Sequence, residues 1–158
     1  MKRMTTAFLK VTVCIIGIII IALSIFWLPW LANSTVDMFP EFSYLQYPVL
    51  IGLYVTSLPF LYALYQSFKI LNYIEEGNAF SELSVKSLNY IKFCAVVISI
   101  LYVIGAIFLM SQNALHPGIA IIGVIIVFTS FVIAVFSAIL QKLLQHALDI
   151  KCENDLTV

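Results

Sequence analysis

Charged side chains are scarce in this 158-residue chain: eight basic and eight acidic residues make up 10% of it, against 63% hydrophobic residues and a mean hydropathy of +1.08. Soluble domains carry about a quarter charged residues, so water is excluded as the main solvent and lipid takes its place. The formal net charge is zero. The charged residues of both signs are confined to termini and loops, so no basic surface is expected that could wrap nucleic acid, and direct nucleic-acid binding is not expected. Cysteine is almost as sparse: Cys14 and Cys94 lie in apolar runs and Cys152 in the polar tail, with no C-x-x-C or His/Cys spacing between any two. Neither a disulfide framework nor a redox or metal site is expected from them, and no cofactor is expected at all.

What the chain has instead is four apolar runs, Val11 to Leu31, Val49 to Phe68, Phe93 to Met110 and Ile119 to Leu140, none of which contains Asp, Glu, Lys, Arg or His. Each holds roughly 18 to 22 residues, enough at about 1.5 Å per residue to cross a hydrocarbon core of about 30 Å. Helices are the open-chain structure that satisfies every backbone polar group in lipid. The expected fold is all-α: one polytopic membrane domain over residues 1–158, four transmembrane helices in an up-down-up-down bundle, and a cytoplasmic tail over 141–158. The apolar run at the N-terminus is longer than that of a cleaved signal peptide, so it is expected to remain as an anchor.

Orientation follows from the basic residues. Lys2, Arg3 and Lys10 precede the first run, Lys69, Lys86 and Lys92 flank the loop between the second and third, and Lys142 and Lys151 follow the fourth. All eight fall on one side, whereas the other side carries Asp37, Glu41 and His116 and no Lys or Arg. The positive-inside rule then places both termini and the middle loop in the cytoplasm. Lys10, Lys69, Lys92 and Lys142 give each helix one lysine at its inner boundary, where the ammonium reaches the headgroups. His116 and His146 fall on opposite sides and share no metal.

Pro59 interrupts the second run, where it removes a backbone donor and predicts a kink near Val55 to Pro59. Tyr54, Tyr62, Tyr65 and Gln66 give the same helix a polar stripe, expected to face the bundle interior. In the fourth run Ser130, Ala134 and Ala138 repeat every four residues with Ser137 beside them, a small-residue ridge that admits a second helix closely. It serves either cohesion of the bundle or a homo-oligomer, and sequence does not separate the two.

The middle loop is expected to be a helical hairpin: Gly77 stops one helix, Ser81 caps the next, Phe80 docks back beside the cap, and Glu82 pairs with Lys86 one turn on. The fourth helix is expected to run past the bilayer with Leu140, Leu143, Leu144, Ala147 and Leu148 on one apolar face, packed within the molecule. Beyond Ile150 the tail is expected to be disordered.

The pattern Ile74-x-x-Gly77-x-x-Phe80-Ser81 leading to Leu88, the four runs, and the ending Glu153-Asn154-Asp155-Leu156-Thr157-Val158 resemble the bacterial membrane family catalogued as domain of unknown function 2975. Asn78-Ala79 stands where that family often has a charged residue and a proline. The resemblance covers nearly the whole chain and implies a bacterial plasma membrane location with no established activity. Members of that family are often encoded beside a helix-turn-helix regulator, so the implied partner is a cytosolic DNA-binding protein held at the membrane. The surface expected to hold it comprises Gly77, Phe80, Ser81, Leu88, Leu148, Asp155 and Leu156. The competing reading is a small transporter, facilitator or immunity protein; a proton-coupled carrier would need an intramembrane acid, which the runs lack. An enzyme comes third, since paired cysteines, or carboxylates and histidines at depth, are missing.

Overall fold

The computed structural model describes residues 2–156; the side chain of Lys2 and the terminal Thr157 and Val158 lie outside the described residues. Helix α1 (Lys2–Ala22) passes through a π-helical segment (Leu23–Trp27) into α2 (Leu28–Met38). A 3₁₀ segment (Pro40–Leu45) leads into α3 (Gln46–Glu75), followed by α4 (Glu82–Ser111) and α5 (Pro117–Leu156). Four helical rods, Arg3–Met38, Pro40–Glu75, α4 and α5, are long and apolar enough to cross a membrane. All exceed the roughly 20 residues a bilayer requires, so their ends project beyond it.

The π-helical segment has a cause in the sequence. Pro29 has no N–H, and its ring clashes with the preceding turn of an α-helix. The chain answers by widening one turn, so that the Leu28 N–H bonds to the carbonyl of Leu23 rather than Ser24. The Ser24 carbonyl thereby loses both helical donors, Leu28 by diversion and Pro29 by chemistry. The Tyr54 hydroxyl of α3 donates to it instead, at 2.8 Å. At Pro59 the outcome is milder: α3 stays one continuous helix, with the Thr56 and Ser57 hydroxyls donating back to the carbonyls of Leu53 and Tyr54.

Both hairpin turns close by the same capping geometry. After α3, Gly77 takes φ +81, its N–H reaches the Ile74 carbonyl, and the Asn78 N–H reaches that of Tyr73. After α4, Asn113 takes φ 54, with Asn113 N–H to Met110 and Ala114 N–H to Leu109. These paired bonds satisfy carbonyls the helix leaves open. Helix starts are capped as well: the Ser81 hydroxyl accepts from the Ser84 N–H, and the His116 ring Nδ1 accepts from the Gly118 N–H at 3.0 Å with Pro117 in the first turn. His116 is thus a helix cap.

Successive helices run antiparallel. Lys10 pairs with Glu75, Tyr54 reaches Ser24, and Gln46 reaches Asn33, which sets α3 against the first rod from end to end. Tyr62 meets Tyr90 across α3 and α4, and Lys92 and Asn89 meet Gln141 across α4 and α5. The packing is serial, α1 on α3, α3 on α4, α4 on α5, and among the described residues no close packing joins the first rod to the last. The expected bundle is therefore open on one side.

Most of the buried residues are polar: Thr6, Gln66, Ser84, Ser87, Ser130 and Ser137, beside Leu45, Cys94, Ala95, Ile98 and Ala134. In lipid there is no hydrophobic drive between helices, so close backbone approach by small residues takes its place. On α5 the buried and half-buried positions Val127, Ser130, Ala134, Ser137, Gln141, Leu144 and Leu148 follow spacings of three and four, the seam of an antiparallel coiled coil. Ser137, rather than Ala138, carries the small-residue ridge forward; Ala138 is half-buried at its edge.

Candidate partner surface at the basic end

Because the rods are even in number and antiparallel, the start of α1, the turn after α3 and the end of α5 gather at one end of the molecule. The basic residues gather with them. Lys10 is ion-paired with Glu75 and lies 5.7 Å from the Phe68 ring centroid; Lys69 lies 5.0 Å from that of Tyr65. Lys92 donates to Gln141 Oε1 at 3.3 Å and lies 5.5 Å from the Phe93 ring. An ammonium over an aromatic face is attracted to the ring's negative face while its stem lies in apolar surroundings.

The expected surface residues fall into three groups. Gly77 and Ser81 build the turn, and Leu88 and Leu148 are half-buried in the helix packing. Phe80, Asp155 and Leu156 are exposed, Phe80 at 64% and Leu156 at 86%. Pro59, Ser130, Ala134 and Ala138 lie away from this end, within the spans.

Several expectations are corrected here. Phe80 does not dock: the turn places it outward, and the space behind the cap is taken by Ser84, 1% exposed, whose hydroxyl reaches the Asn78 carbonyl and Ser81. Glu82 and Lys86 form no ion pair; among the described residues the one such pair is Lys10–Glu75. Tyr62 and Tyr65 face outward, leaving Tyr54 and Gln66, the latter 2% exposed, to face the interior. Leu140 and Leu143 are likewise exposed, while Leu144, Ala147 and Leu148 take the packed face.

The tail beyond Ile150 is helical through Leu156. No Gly or Pro interrupts it after Gly123, and the Gln145 amide donates to Asp149 one turn on. From Gln141 to Leu156 the helix rises about 22 Å, and α4 from Asn89 back to Glu82 about 10 Å. Helix α5 thus overshoots the start of α4 by about 12 Å, and Asp155 and Leu156 stand on that overshoot.

Sequence reasoning missed the polar cluster at the root of this projection, where Gln141 accepts from Lys92 and donates toward Asn89 at 3.5 Å. A shallow groove beside it is lined by Glu82, Leu83, Val85, Lys86, Asn89 and Gln141. The signal was present: continuing the ridge from Ser137 by four rather than tracking Ala138 arrives at Gln141. Among the described residues no group of three His, Cys, Asp or Glu is placed to hold a metal ion. What this end offers is two exposed apolar side chains, Phe80 in the turn and Leu156 on the projecting helix, above a level of lysines.

Comparison with known proteins agrees with the membrane character of the chain. The family model described as protein of unknown function (DUF2975) matches residues 30–158. The uncharacterised membrane protein YoaS of Bacillus subtilis (strain 168) is 54% identical over 160 residues, covering the whole of both chains. No solved structure matches.

Proposed function

The chain belongs to the DUF2975 family of membrane proteins, and on that premise we propose that it is a non-enzymatic regulatory partner that holds a soluble helix-turn-helix regulator at the bacterial plasma membrane. In this reading the helices cross up-down-up-down, both termini and the Gly77 turn are cytoplasmic, and the docking surface is formed by Phe80 and the projecting end of α5 around Leu156. The observation that supports it is the exposure of those two side chains. Exposed apolar residues within the apolar runs are covered by lipid, but Phe80 in the turn after α3 and Leu156 at the end of α5 lie outside those runs, where an uncovered apolar side chain points to a protein partner.

Two experiments test the reading. Purification of the N-terminally tagged protein in mild detergent is expected to bring down a helix-turn-helix protein in stoichiometric amount, and Phe80→Ala with Leu156→Ala to release it. A protein recovered alone, together with unchanged expression of the regulator's targets on gene deletion, sinks the proposal and directs attention to transport or immunity. Orientation is tested with Cys152, exposed on the projecting helix: a membrane-impermeant maleimide is expected to label it in inside-out vesicles and not in intact cells.

A further inference from the structure

We infer that the crevice between α3 and α4 is a binding site for one anionic phospholipid, with the headgroup phosphate held by Lys69 and Lys86 and an acyl chain laid along the cleft below. This inference rests on the membrane placement of the chain and is independent of the partner proposed above.

The crevice is apolar, open laterally, with a volume of about 380 Å³, and its floor is made by Leu58, Pro59, Cys94 and Val97. Tyr62 and Tyr90 meet edge-to-face across it with ring centroids 6.0 Å apart, and Phe93 completes the wall. The lining carries no charged side chain, so an apolar occupant is well matched to it.

Two stripes converge on the mouth. On α3, Leu58, Tyr62, Tyr65 and Lys69 follow one another at spacings of four, three and four. On α4, running the other way, Val97, Phe93, Tyr90 and Lys86 do the same. Leu58 and Val97 both line the floor and Tyr62 meets Tyr90, so the stripes are in register and end in lysines at a common level. Each stripe spans eleven residues, about 16 Å, which is half of a hydrocarbon core of about 30 Å. The distance from the floor of the cleft to the two lysines above it therefore matches the depth of one leaflet.

The charges favour an anionic lipid. Lys69 and Lys86 have no carboxylate partner among the described ion pairs; Lys69 sits over Tyr65, and Glu82, one turn from Lys86, does not pair with it. Lys86 stands on the edge between this mouth and the groove beside Gln141, which it also lines, whereas Lys92, six residues further in, donates to Gln141 of α5. Two free ammonium groups above an aromatic-walled cleft complement a phosphate diester carrying acyl chains. A free phosphate would use the cations and leave the cleft unfilled.

The test is native mass spectrometry of the full chain released from detergent with phosphatidylglycerol or phosphatidylcholine added. Wild type is expected to retain one phosphatidylglycerol in preference to phosphatidylcholine, with a selectivity of about fivefold per lysine. Lys69→Gln with Lys86→Gln is expected to abolish the preference, and the paired arginine substitutions to keep it. Val97→Trp, which fills the floor from a lipid-facing position, is expected to lower retention of both lipids, and circular dichroism checks that it folds. Unchanged selectivity in the double variant, an equal loss from Lys142→Gln, or full competition by inorganic phosphate would each overturn the site, leaving annular lipid or a bare anion site instead.

Discussion

The α4–α5 pair and the α1–α3 pair are both antiparallel contacts between apolar helices, yet they are held by different means. On α4 and α5, small side chains such as Ser84, Ser87, Ala95, Ser130, Ala134 and Ser137 are buried, and the two helices approach closely. The most apolar stretch of the first rod buries none of its residues. Its isoleucine run, Ile15, Ile16 and Ile18 to Ile21, offers bulk where close approach needs small residues, and it is tied to α3 by polar pins at Lys10, Ser24 and Asn33. The lesson is that in lipid hydrophobicity does not decide packing; side-chain size and a few hydrogen bonds do. The family model, which begins at residue 30, leaves out most of this loosely packed rod.

The largest expected effect lies in the seam. Ala134→Leu overpacks a buried position and is expected to cost about 1–3 kcal/mol, measured by reversible unfolding in mixed detergent micelles. Gly17→Ala on α1 is the matched control: its new methyl meets Leu64 at an ordinary 3.9 Å. It is expected to be neutral or to gain up to about 1 kcal/mol from helix propensity. Equal costs for the two would break the comparison.

The pin at Tyr54 comes next. Tyr54→Phe removes the donor that satisfies the Ser24 carbonyl and is expected to cost about 0.6–1.7 kcal/mol, the range of interhelical hydrogen bonds in membranes. Its distinguishing feature is coupling to Pro29. In a Pro29→Ala background the helix can restore its own donors to the carbonyls of Ser24 and Ile25, and the cost of Tyr54→Phe is expected to fall toward zero. A double-mutant cycle reads the difference directly; additive costs would show that the tyrosine is not serving the π-helical segment.

How much of this was legible in the sequence follows the same division. Spans, caps and turns are local, so the runs without charge, Gly77 and Ser81 announced them. The ridge of α5 was legible as small residues, but its direction was not, because a spacing of four fits Ala138 and a heptad fits Ser137; only the partner helix chooses. Phe80 was misread because a staple presumes an empty space behind the cap, and Ser84 already fills it. Pro29 was overlooked because it stands near the end of an apolar run, where a proline ordinarily ends a helix. Here Tyr54, 25 residues later, supplies what the proline removes. The projecting end of α5 departs from the disorder expected of a chain terminus, because nothing in it breaks a helix.

The two ends can be compared through their turns. Gly77→Ala places a Cβ on a backbone at φ +81 and is expected to cost about 1 kcal/mol. No neighbour crowds the position, so the cost is conformational. Asn113→Gly relaxes the same strain in the other turn and is expected to stabilise by no more than about 0.5 kcal/mol, since Asn already tolerates that region. Opposite signs from one geometry would establish that both hairpins depend on their left-handed residue.

The smallest expected effect is at Lys10. Its ion pair with Glu75 is partly exposed at both partners, so screening reduces its worth, and Lys10→Gln is expected to cost less than about 0.5 kcal/mol of global stability. The local effect is what discriminates. Losing the ammonium removes both the pair with Glu75 and the contact with the Phe68 ring, so amide exchange in the first turns of α1 is expected to accelerate while the α4–α5 seam stays protected. Faster exchange in the seam as well would mean that α1 is an integral wall of the bundle, and the contrast between the two pairs would fail.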